Sequence, residues 1–176
     1  MSRIRVPTRF AAAVILSGGL AVIASTPARG AADLRIIKMM DQCDPASFNA
    51  AGIPCVGKGG VTLDTLLKVL GHSGQMGAWH FTPGEVHLRD GQEFQAVNYG
   101  GETHTFTEVD EFGGGFVDQL NQLSGNPVPA PECTTEFNPA DFVAPGGATE
   151  AEDEEPGVHH YQCCIHPWMR VDVIVR

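Results

Sequence analysis

Near its C-terminal end the chain reads Cys163-Cys164-Ile165-His166-Pro167-Trp168-Met169. A thiol, an imidazole and a thioether stand within seven residues of one another. Soft sulfur combined with imidazole suits copper and disfavours magnesium or calcium, which take oxygen donors. Two histidines and one cysteine in a trigonal plane, with a weak axial methionine, is the donor set of a one-electron copper site. Such a set needs a second histidine from elsewhere in the chain.

His104 is the best candidate, in the run Asn98-Tyr99-Gly100-Gly101-Glu102-Thr103-His104-Thr105-Phe106. There a glycine-rich turn can deliver an imidazole to the start of a strand. The other histidines are read more plainly. His159 and His160 fall in strand-like sequence, where at most one can face a core. His72, His80 and His87 are scattered and take no role. Glu102 and Glu108 flank the His104 strand, but nothing pairs them as a general acid and base. No Ser-His-Asp order or nucleophile elbow is present.

Those donors need elements to hold them. Ala32–Met40 reads as a short helix, with Leu34, Ile37 and Met40 on one face. Residues 41–60 are rich in Gly, Pro, Asn and Cys and read as a loop. Residues 61–70 read as a helix capped by Thr62, striped by Leu63, Leu66, Leu67 and Leu70, and stopped by Gly71. From Ala78 the apolar period becomes two. Strands are expected around Trp79 and Phe81, at Val86-His87-Leu88, over 93–98, over 104–109, at Phe142-Val143, over 158–163 and over 170–175. Residues 111–131 form a long excursion with one helical turn at 117–123. Residues 150–155 form an acidic loop, read mainly as solvated. Many short strands without long helices between them predict an antiparallel sandwich or barrel.

The chain has 176 residues and a net charge of −10. Arg3, Arg5 and Arg9 precede an apolar, small-residue stretch from Phe10 to Ser25, followed by Ala28-Arg29-Gly30-Ala31-Ala32. That is the pattern of a secretory leader over residues 1–32. It is interrupted by Gly18-Gly19 and too short to span a bilayer. It has no Arg-Arg pair and no cysteine at the cleavage point, so the general secretory route without a lipid anchor is expected. Its removal takes away four of the 11 basic residues and none of the 21 acidic ones, leaving a net charge of −14. Such a surface repels nucleic acid and anionic lipid and suits a basic partner.

Five cysteines remain, Cys43, Cys55, Cys133, Cys163 and Cys164. In an exported chain disulfides are expected, and the odd number leaves one thiol for other work. Cys43 and Cys55 bracket a loop and are expected to pair.

The two donor segments resemble the cupredoxins, the blue copper proteins such as plastocyanin and amicyanin. In that family one His comes from an upstream turn, and a Cys, a His and a Met come from the loop between the last two strands. The amicyanin-like short loop spaces Cys, His and Met three apart, which on this chain gives Cys163, His166 and Met169, with His104 upstream. Trp168 also matches the short loop. The resemblance spans Ala78 to Arg176. It implies an all-β, cupredoxin-like Greek-key β-sandwich or barrel at 78–176, preceded by a helical, disulfide-containing extension at 33–77 without a counterpart in small family members.

With Cys163 as the ligand thiolate, Cys164 is left to pair with Cys133. Two departures from the family stand out. Cys164 replaces a small polar residue, and Thr105 replaces the usual Asn or Ser, where its hydroxyl can still tie the two ligand loops together. The 111–133 insertion falls near the metal end, where it can cover the site. The function implied is a periplasmic or secreted electron carrier holding one mononuclear copper ion and serving a redox partner protein. The partly exposed edge of His166 would be the electron port. The alternatives are copper storage, delivery or tolerance without electron transfer, and an interaction module on the same fold without metal. An enzyme is not expected, because no further histidine cluster marks a second metal centre.

Overall fold

The computed structural model describes residues 34–176. The expected leader lies outside the described residues. No helix among them is long and apolar enough to cross a membrane.

The first element among the described residues is a strand, β1 (Arg35–Met40), where a helix is expected from the Leu34, Ile37 and Met40 spacing. Ile37 and Met39 point into the core and Lys38 points out, a period of two that overrides the helical one. β1 is hydrogen-bonded on both sides. It runs antiparallel to β2 (His80–Thr82) and parallel to β4 (Phe94–Asn98), with Ile37 opposite Ala96 and Met39 opposite Asn98. Sheet partners on both edges decide the matter over local propensity.

The second sheet has the order β3-β9-β8-β6. Here β3 (Glu85–Leu88) runs parallel to β9 (Arg170–Val175), β9 antiparallel to β8 (Gly157–Gln162), and β8 antiparallel to β6 (Thr107–Val109). The expected antiparallel arrangement is therefore corrected to a mixed one, since β1 and β3 each accept a parallel neighbour from far along the chain. A two-residue β5 (His104–Thr105) pairs with β7 (Phe142–Val143). The expected single strand over 104–109 is thus split at Phe106 between two sheets.

The core lies between the sheets. Phe81 of β2 and Phe94 of β4 meet Phe106 edge-on at 5.6 and 6.2 Å, and Phe106 stacks on Tyr161 of β8 at 4.4 Å. Each such pair adds about 0.5–1.5 kcal/mol beyond its area. Alternating burial of Val171, Val173 and Val175 makes β9 the inner wall.

Three helices lie at the end where the donors gather. The loop expected over 41–60 contains a short helix, α1 (Pro45–Ala50), started by Asp44, whose carboxylate accepts the Ser47 N–H at 2.9 Å. α2 (Leu63–Ser73) has the expected Thr62 cap. It passes through Gly71, which packs close to Leu123, and ends instead at Gly74, whose φ of 72° is left-handed. α3 (Asp118–Leu123) supplies the helical turn expected in the insertion. Phe48 of α1 is buried and stacks on Trp79 at 6.0 Å, joining this layer to the sandwich. Both expected disulfides, Cys43–Cys55 and Cys133–Cys164, are present, and Cys163 is free and buried.

Candidate metal centre

His104 opens β5 directly after the glycine turn, and the turn is organised by two buried side chains. Asn98, at the end of β4, donates from Nδ2 to the Glu102 and Val143 carbonyls, both at 2.8 Å. Its Oδ1 accepts the Gly100 N–H at 2.8 Å. Asp41, just past β1, reaches the same turn. Its Oδ2 accepts from Gly101 N at 2.8 Å, Glu102 N at 3.0 Å and His104 Nε2 at 3.0 Å, while Oδ1 accepts from Cys43 N at 3.1 Å. Any Cβ at Gly100 would run into that carboxylate. The turn is glycine-rich because a charged group fills the space a side chain would need.

Cys163 follows β8, and the loop to β9 closes on itself. Cys163 N donates to Met169 O at 3.1 Å, and Met169 N to His166 O at 2.9 Å. The expected tie between the two loops is present: Thr105 Oγ1 accepts the Cys164 N–H at 2.7 Å. Thr105 N also points at Cys163 Sγ, 3.4 Å away.

These elements bring His104, Cys163 and His166 together. His104 Nδ1 and His166 Nδ1 each stand 3.8 Å from Cys163 Sγ, and the three donor atoms lie within 4.8 Å of one another. An ion bonded to sulfur at about 2.3 Å and to nitrogen at about 2.0 Å, at a trigonal angle, separates the two by roughly 3.7 Å. The donor set and its spacing therefore fit one soft or borderline metal ion. Met169 is fully buried at the end of the same loop.

The electrostatics favour a thiolate. Burial pushes the Cys163 thiol up, but the hydrogen bonds and positive charge of His104 and His166 prevail and hold it well below the ordinary range. Burial likewise pulls His104 down, yet Asp41 and Cys163 hold it up at about 9. Asp41, raised by burial but hydrogen-bonded by His104 and three backbone N–H groups, is held down at about 2. A thiolate flanked by imidazoles is a site where a metal ion displaces protons.

Three site residues escape sequence reading: Asp41, Glu102 and Trp79. Glu102 is buried, accepts the Trp79 Nε1–H on Oε2 at 2.7 Å, and stands 3.7 Å from His166 Nε2. Burial pushes its carboxyl up, against the lowering influence of His166 and Trp79. The one available signal was an acidic residue directly after a mostly apolar stretch, as Asp41 follows Met39-Met40.

The expected exposed edge of His166 is corrected: the residue is 2% exposed. Ile165 and His166 line a cavity with α1, α2 and the insertion, and Cys164 O accepts the Phe116 N–H at 2.7 Å. The insertion and the helical layer together cover this face. Neither His159 nor His160 enters the core. His159 Nδ1 lies 2.8 Å from Glu108, and His160 Nδ1 lies 2.7 Å from Asp172. His159, Glu108 and Glu154 also bring donor atoms within 4.8 Å, at the surface. The acidic loop is partly structural, since Tyr161 donates to Glu154 at 2.6 Å and Glu152 bridges to Phe94.

Among solved structures, a purple cupredoxin from Nitrosopumilus maritimus matches with a TM-score of 0.45 at 17% identity, covering 81% of this chain and 99% of that one. Amicyanin from Paracoccus versutus matches with a TM-score of 0.36 at 18% identity, over 55% of this chain and 73% of that one. A reduced amicyanin variant matches with a TM-score of 0.38 at 19% identity, over 57% and 77%. No family model and no curated protein matches the chain.

Proposed function

We propose that this chain is an exported, cupredoxin-like protein that holds one mononuclear type 1 copper ion and passes single electrons to and from a partner protein. The observation that carries the proposal is the buried trio in which His104 Nδ1 and His166 Nδ1 each lie 3.8 Å from Cys163 Sγ. His104, Cys163, His166 and Met169 would hold the ion. Copper held by that set would supply reversible one-electron chemistry at a potential tuned by the thioether and the surrounding hydrogen bonds. The chain's own part is to keep the donors still. The Asp41 bond orients His104, the Thr105 bond locks the two loops, and the aromatic core behind them stiffens the support. Little rearrangement between oxidation states follows from such a scaffold. The excess of acid groups favours a partner with a basic face.

A second reading, copper handling without rapid electron exchange, is favoured by the burial of His166 under the helical layer. The two readings separate on the electron self-exchange rate of the copper form.

Titration of the metal-free chain with Cu(II), followed by visible absorption and electron paramagnetic resonance, tests the centre itself. An intense thiolate-to-copper band with small hyperfine splitting is expected. A folded chain with reduced Cys163 and no such band would overturn the proposal.

A further inference from the structure

One cavity touches the candidate centre without containing any of its sulfur. It has a volume of about 300 Å³ and is walled by Phe48 of α1, Leu66 and Leu67 of α2, and Ile165 of the ligand loop. Its buried polar members are Glu102 and His166, and its mouth lies among more exposed side chains, including Ile53 and Val117.

Glu102 is 95% buried here, a carboxylate that shares a largely apolar chamber with the His166 ring. Its Oε2 is occupied by the Trp79 N–H, and its Oε1 accepts no hydrogen bond from the described residues. An acceptor oxygen that takes no hydrogen bond from the described residues, in a largely apolar pocket, is a handle for a donor.

The geometry points to a binding site for a neutral, single-ring molecule carrying one hydroxyl group, of the phenol class. The ring would lie among Phe48, Leu66, Leu67 and Ile165, and the hydroxyl would donate to Glu102 Oε1. Three observations select this chemistry. The volume is at the small end of ligand pockets, which span about 300–1,000 Å³, so one ring fills it. The apolar walls disfavour an ammonium, whose desolvation they cannot repay. The carboxylate of Glu102 repels an anion. The site deepens the copper reading, since an occupant would rest against the His166 ring, but it does not depend on it.

The metal-free chain provides the test, so that failure of this site and failure of copper binding are separate results. Titrate it with 4-ethylphenol and with its methyl ether, 4-ethylanisole, and follow the Trp79 indole N–H and Ile165 amide by nuclear magnetic resonance. Saturable shifts at both groups are expected for the phenol, with binding at least about tenfold weaker for the ether, which has no donor. Leu67→Trp, which fills the chamber from its partly exposed side, should abolish the shifts while the chain stays folded. Absence of saturation, equal affinity for the ether, or undiminished binding by a folded Leu67→Trp chain would each overturn the inference.

Discussion

His104 Nε2 lies 3.0 Å from Asp41 Oδ2, and both side chains are fully buried. A carboxylate can only accept, so Nε2 carries a proton, and Nδ1 is the nitrogen that faces Cys163 and would bind a metal once its own proton is displaced. The partner that fixes this orientation sits at residue 41, on the far side of the chain from the ligand loop.

Asp41→Asn should weaken copper binding by about 10–100-fold, the usual cost of removing a carboxylate that backs a metal-bound histidine. It should also raise the reduction potential, because a less electron-rich imidazole stabilises Cu(II) less. Competition titration against a copper chelator and a redox titration read the two effects separately.

The same residue sets an acid limit on the metal-free fold. Its carboxyl is held at about 2, below the ordinary 3.8. The stability this contributes is fully present above 3.8 and is lost as pH falls through 2. By linkage it is worth about 2 kcal/mol. Denaturant unfolding at pH 5 and pH 2 should show a drop in the wild type that is smaller by about that amount in Asp41→Asn. His104, held at about 9, gives the opposite limb, with stability present below 6.5 and lost as pH rises through 9.

Cys163→Ser should abolish the thiolate-to-copper band and leave the fold intact, whereas Cys164→Ser should keep the band. Met169→Leu should keep the colour and raise the potential through loss of the weak axial donor. A band that survives Cys163→Ser but not Cys164→Ser would reverse the ligand assignment.

Thr105→Val is close to isosteric and removes the acceptor for the Cys164 N–H, which is buried. A cost of about 1–3 kcal/mol in unfolding free energy is expected from the orphaned donor. A shift of the copper spectrum should accompany it, because Thr105 N also faces Cys163 Sγ.

Removing the Cys133–Cys164 cross-link with paired serines should cost about 2–4 kcal/mol, the range for a loop of this length. Its sequence separation is 31 residues. Thermal melts of the metal-free chain measure this, and loss of the link should also free the insertion from the ligand loop.

The Cys163-to-Met169 run is legible because its donors are close in sequence and chemically unlike their neighbours. His104 is legible through the glycines before it, and Thr105 through its place beside His104. Asp41 and Glu102 are not, because their meaning depends on what the fold brings near them. β1 misreads for the same kind of reason. Ile36-Ile37-Lys38-Met39-Met40 satisfies both periods, and only its pairing with β2 and β4 chooses between them. Burial of His166 is likewise invisible in the loop that carries it, since the cover comes from α1, α2 and the insertion.

β9 occupies the middle of its sheet, between β3 and β8, with its valines turned inward. It begins directly after the ligand loop, so the wall that steadies the loop comes later in sequence than every candidate donor. A chain cut before residue 170 keeps all four donors yet lacks that wall. Tight metal uptake therefore depends on residues that donate nothing to the metal.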